Sequence, residues 1–150
     1  MSEFADEVRR RAGGRCEYCP LPQSAFRRPF HVEHIVARQH RGLSSPDNLA
    51  LACWSCNLKK GPNLSGMDPM TDPVTPLFHP RRDDWLQHFR PVIGALMPLG
   101  IAIRGLTPVG RATVQVLGLN DDMRRSATNS GKKGFTASRA RIARVFSQFA

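Results

Sequence analysis

Four cysteines set the tightest limit on what this chain can fold into. They come as two pairs, Cys16-x-x-Cys19 and Cys53-x-x-Cys56, and no cysteine lies outside them. Two residues between cysteines let both sulfurs of a turn face one ion. Tetrahedral zinc accepts four thiolates and keeps no open position, so it builds structure without acting on a substrate. Free thiols and a redox pair are the competing readings. A redox pair calls for one Cys-x-x-Cys beside a βαβ unit, and no such unit is read here. The stretch between the pairs is longer than a zinc ribbon needs. The metal must therefore staple an N-terminal knuckle to the start of a later helix, with a strand pair looped out between.

Local signals agree with that plan. Ser2 is a helix cap, Glu3, Asp6 and Glu7 fill the first turn, and Arg9, Arg10 and Arg11 fill the last. These charges complement the helix dipole. Phe4, Val8 and Ala12 share a face, and Gly13-Gly14 ends the helix. Residues 29–33 read as a strand, 37–47 as a polar loop, and 48–52 (NLALA) as a second strand. A helix starts from Cys53 and stops at Gly61-Pro62. Residues 64–80, rich in Pro, Asp and Gly, read as irregular wrapping chain, and 84–89 as one helical turn or part of a strand. Residues 92–97 and 101–106 suggest a hairpin. Thr107-Pro108 is a helix start, with Thr as N-cap and Pro in the first turn. Residues 138–149 carry Ile142, Val145, Phe146 and Phe149 at helical spacing.

The chain has 22 Lys and Arg against 12 Asp and Glu, a formal net charge of +10. That excess favours a polyanionic partner, nucleic acid ahead of an anionic membrane surface. No run approaches the roughly 20 apolar residues of a membrane-spanning helix. Residues 1–14 carry Glu3, Asp6 and Glu7 and lack the apolar run of a signal peptide, so a cytoplasmic location with reduced thiols is expected.

Between the cysteine pairs lie HVEHIVARQH and PDNLALAC, and the second pair sits in WSCNLKKG. An acidic residue followed by His, a central Asn, and an Asn just after a second cysteine pair resemble the HNH endonuclease family over about residues 15–61. The run LFHPRRDDWLQHF and the later GLTPVGRATV look like the C-terminal extension of some bacterial HNH proteins and imply no chemistry. The resemblance implies an α+β fold with a ββα-metal core stapled by the four-cysteine zinc site. It divides the chain into a nuclease core (1–62), an extension packed on it (63–122) and a basic tail (123–150). It implies a metal-dependent endonuclease acting on DNA, most simply double-stranded. His34 would be general base. Glu33 and Asn57 would hold one Mg²⁺ or Mn²⁺, and Asn48 would pin the loop that orients the His34 ring. Arg38, Arg41, Lys59 and Lys60 are the expected phosphate contacts.

Elementary chemistry supports those roles. A neutral imidazole is a suitable base near pH 7. A hard divalent ion bound by oxygens relieves charge on the leaving oxygen. Asn57, where the family name implies His, favours an oxygen-seeking ion over zinc. Glu33 stands where Asp is commoner. A non-catalytic zinc-containing nucleic-acid-binding module is the alternative, and it has no need of Glu33, His34 or Asn57.

Cys19→Ser or Cys53→Ser is expected to give insoluble or molten protein. A well-dispersed amide spectrum from either variant, with no bound zinc, would refute the zinc assignment.

Overall fold

The computed structural model describes residues 2–93 and 101–121. The expected helix over 138–149 lies outside them. The architecture is α+β, in three small antiparallel strand pairs with helices packed on them.

Helix α1 is Ser2–Ala12, so Ser2 begins the helix itself. Val8 is its buried anchor, with Phe4 and Ala12 packed against the core. Gly13 and Gly14 follow at φ 60° and 71°, a left-handed exit that glycine takes without strain. Two arginines of the last turn tie α1 down. Arg9 Nη2 donates to the Phe30 carbonyl at 3.3 Å, and Arg11 Nη2 to the Leu49 carbonyl at 2.6 Å.

Strands β1 (His31–His34) and β2 (Leu49–Ala52) pair antiparallel, with Glu33 opposite Ala50 and His34 opposite Leu49. All four β2 residues are buried, so the strand is apolar on both faces. The loop between the strands contains two 3-10 turns, Arg38–His40 and Pro46–Asn48. Asn48 therefore ends a turn before β2, one residue outside the strand expected for it. Helix α2 is Trp54–Lys60, and Cys53 is its N-cap, its sulfur accepting the Cys56 N–H at 3.4 Å.

The segment after α2 is more ordered than its composition suggests. Strands β3 (Ser65–Met67) and β4 (Val74–Pro76) form a short hairpin within the stretch expected to be irregular. Three-residue strands carry too little alternation to be seen among prolines. Helix α3 (Trp85–His88) is a single turn capped by Asp84. The hairpin expected over 92–97 and 101–106 corresponds to β5 (Phe89–Ile93) and β6 (Ile101–Gly105), its first strand three residues earlier than expected and residues 94–97 outside the described ones. Its first strand starts at Phe89, directly from α3. Helix α4 (Pro108–Val116) is capped by the Thr107 side chain. It lies so close to its neighbours that a Cβ on Gly110 would stand 2.1 Å from the His88 carbonyl oxygen.

One core joins these pieces. Val8, Tyr18, Phe30 and Leu49 share a buried cluster with Phe78, Phe89, Ile103 and Leu117. Phe78 and Phe89 meet edge to face at 5.3 Å between ring centres. Arg111 of α4 clamps the β3–β4 turn, its guanidinium on both oxygens of Asp68 at 2.8 and 2.7 Å. Among the described residues no helix is long and apolar enough to cross a membrane.

The Arg111 guanidinium, helped by Thr71, holds the Asp68 carboxyl well below the usual carboxylate range. A carboxyl depressed by folding stabilises the fold above its unfolded value of about 3.9 and loses that contribution as pH falls further. Asp68→Asn is therefore expected to lower the melting temperature at neutral pH. The gap to wild type should shrink progressively below about pH 4. Parallel melting curves across that range would exclude the clamp.

Candidate functional site

The four cysteine sulfurs lie within 4.8 Å of one another, and all four residues are buried. No disulfide links them, and the Cys19 and Cys53 sulfurs are 3.9 Å apart. A tetrahedral zinc with bonds of about 2.3 Å spaces its sulfurs about 3.8 Å apart, so this pair stands at the required distance. Burial, followed by the neighbouring thiols, pushes the Cys16 pKa well up, and for Cys56 the neighbouring thiols lead. Four crowded sulfurs can ionise together only around a cation. The cluster fits structural zinc.

The knuckle carrying Cys16 and Cys19 is bound from several sides. Its Glu17 N–H donates to the Leu51 carbonyl at 2.8 Å, and Glu17 Oε2 accepts the Leu51 N–H at 2.8 Å. Glu17 Oε1 pairs with Arg81 of the wrapping segment. The Trp85 indole donates to the Tyr18 carbonyl at 2.9 Å. The sequence does not show these pairings, because a side chain's destination depends on which distant segment arrives beside it.

Glu33 and His34 are adjacent on β1, so their side chains leave opposite faces. Glu33 is buried. Its Oε1 accepts the Tyr18 hydroxyl, and its Oε2 pairs with the Lys60 ammonium at 3.3 Å. Burial raises the Glu33 carboxyl, while Lys60 and then Tyr18 pull it back. Lys60 also donates to the His34 carbonyl and the Gly61 carbonyl, each at 3.2 Å. The ion pair is 3% and 7% exposed at its side chains. In this structure the Lys60 ammonium therefore lies inside the fold and not at the surface where a phosphate backbone would meet it. Removing one partner of such a buried pair typically costs about 3–5 kcal/mol.

His34 is partly exposed, its Nε2 2.9 Å from the Ser44 hydroxyl. Burial, then the nearby Arg38 charge, lowers its pKa below the ordinary histidine value. The loop that supplies Ser44 is closed by Asn48. The Asn48 Oδ1 accepts the Val36 N–H, and its Nδ2 donates to the Val36 and Leu43 carbonyls, all at 2.9 Å. Gly42 makes room for this bracket, since a Cβ there would fall 1.7 Å from the Val36 carbonyl oxygen. Loop glycines are easy to see in sequence, but which one must lack a side chain is not.

Asn57 is half-buried on α2, three residues before Lys60 and hence on the same helix face. That face is directed at β1, because Lys60 reaches Glu33 and the His34 backbone from it. Among the described residues, the four cysteines are the group of three or more His, Cys, Asp or Glu able to hold a metal. Glu33 and Asn57 offer oxygen donors of the kind a hard divalent ion takes, but an ammonium already sits on the carboxylate. Arg38 and Arg41 are exposed on the inter-strand loop. Lys59 is paired with Asp121 at 3.0 Å and keeps partial exposure.

Residues 16–63 match the family model described as HNH endonuclease. The match spans both cysteine pairs together with Glu33, His34, Asn48 and Asn57. No curated protein and no solved structure matches the chain.

Asn48→Ala removes three hydrogen bonds that hold the loop, and is expected to cost about 1–3 kcal/mol. Hydrogen exchange at the Val36 amide should accelerate with it. Unchanged protection at Val36 would show that the loop does not depend on this side chain.

Proposed function

We propose that this protein is a metal-dependent endonuclease that hydrolyses phosphodiester bonds in DNA. The observation that carries this reading is the state of His34. Its imidazole is partly exposed and held at Nε2 beside Ser44, and burial and then Arg38 lower its pKa from the ordinary histidine value. A neutral ring so placed can take a proton from water. Asn48 positions it indirectly, by fixing the loop from which Ser44 projects. Glu33 and Asn57 are the proposed holders of one Mg²⁺ or Mn²⁺. When bound, that ion neutralises charge on the phosphate and the leaving oxygen. The zinc cluster fixes α2, and with it Asn57, against β1. Arg38 and Arg41, with Lys59 in support, contribute phosphate affinity without sequence reading. A double-stranded substrate and a cytoplasmic setting complete the proposal.

Two observations favour the non-catalytic alternative. Glu33 and His34 leave opposite faces of β1, so the proposed ion and the proposed base start from different sides of the strand. The Glu33 carboxylate is committed to Lys60 and Tyr18, as it would be in a zinc-stapled binding module with no ion to hold.

Supercoiled plasmid separates the two. With Mg²⁺ or Mn²⁺, wild type should yield relaxed or linear DNA, and a chelator should stop it. His34→Ala should lose about 10²-fold or more in rate while still retaining DNA in a gel shift. A base must be deprotonated, so the rate should rise with pH and level off below the ordinary histidine value of about 6.5. Retention without cleavage under each metal would leave the binding module.

A further inference from the structure

Lys60 belongs to the basic run at the end of α2, yet its ammonium is enclosed by oxygens. Three N–H donors meet three acceptors: the Glu33 carboxylate at 3.3 Å and the His34 and Gly61 carbonyls at 3.2 Å. A carboxylate with backbone carbonyls is also the donor set that hard divalent ions select. Asn57 lies one turn earlier on the same helix face. An ammonium and a divalent ion cannot share the Glu33 carboxylate in so dry a setting, where like charges a few ångströms apart repel strongly. Lys60 lies in the last turn of α2, so rotations within its own stem carry the charge outward without unwinding the helix.

We propose that Lys60 is the exchangeable resident cation of this oxygen nest. A divalent ion arriving at Glu33 and Asn57 displaces the Lys60 ammonium, which moves out to meet a phosphate group. The identity of the incoming ion rests on the nuclease reading; the exchange itself does not require cleavage. The metal-free fold keeps the carboxylate paired, and the same lysine becomes a substrate contact once metal is bound. Ion binding and backbone contact are thereby coupled through one side chain.

Two measurements test the exchange. The first titrates zinc-loaded wild type, Lys60→Met and the double variant Glu33→Gln/Lys60→Met with Mn²⁺, following free Mn²⁺ by electron paramagnetic resonance. Lys60→Met lacks the competing ammonium and should bind roughly tenfold or more tightly than wild type, and the double variant should lose the site. Equal or weaker binding by folded Lys60→Met overturns the proposal. Lys60→Met leaves a buried carboxylate unpaired, so the second measurement uses wild type alone. Amine acetylation, read by peptide mass spectrometry against Lys59, should find Lys60 protected without divalent ion. In saturating Mg²⁺ it should label roughly tenfold faster. Protection unchanged by Mg²⁺ overturns the exchange. Ion-dependent labelling without plasmid cleavage overturns only the nuclease reading.

Discussion

Four sulfurs drawn to one point hold the N-terminal half of this protein together. Cys16 and Cys19 sit on a turn with no helix or strand of its own, whereas Cys53 and Cys56 sit at the head of α2. Linking the two fixes where α2 begins and therefore which of its faces meets β1. A zinc ion, which the cluster fits, would also supply the counter-charge without which buried thiols stay protonated and merely crowd each other. The strand pair between the cysteine pairs needs no metal contact of its own. It is held because both of its flanks are.

Glu33 is the second junction, and its position creates a tension. A buried carboxylate bonded to Tyr18 and Lys60 links the knuckle, β1 and α2 through a single side chain. That suits a structural post. The family resemblance asks the same atom group to hold a divalent ion. Both demands can be met if the lysine yields its seat, because a carboxylate exchanging one cation for another is never left unpaired in the interior. His34 escapes the conflict, since strand alternation turns it to the other face and toward the loop.

Much of this was legible in sequence wherever the signal is local. Cysteine spacing foretold the cluster, the Gly13-Gly14 and Thr107-Pro108 boundaries foretold the ends of α1 and the start of α4, and the short LALA run foretold β2. Legibility failed where the outcome depends on distant partners. Lys60 reads as a surface cation beside Lys59, and only the approach of β1 makes it an interior one. Glu17, Tyr18, Arg81 and Trp85 look unremarkable in a row of letters, yet together they bind the knuckle to the wrapping segment. The β3–β4 hairpin was hidden because its three-residue strands show too little alternation, and the Arg111 clamp on its turn arrives from 43 positions away in sequence.

The indole of Trp85 on the Tyr18 carbonyl has a consequence for how such a segment could travel between proteins. The matched region ends at residue 63, but the knuckle within it borrows its cover from a tryptophan more than twenty positions further on. Cutting the chain at the family boundary would remove the hydrogen bond that the indole makes to the knuckle between Cys16 and Cys19. A stretch cut to preserve this contact must carry the tryptophan along, so the folding unit is larger than the matched region.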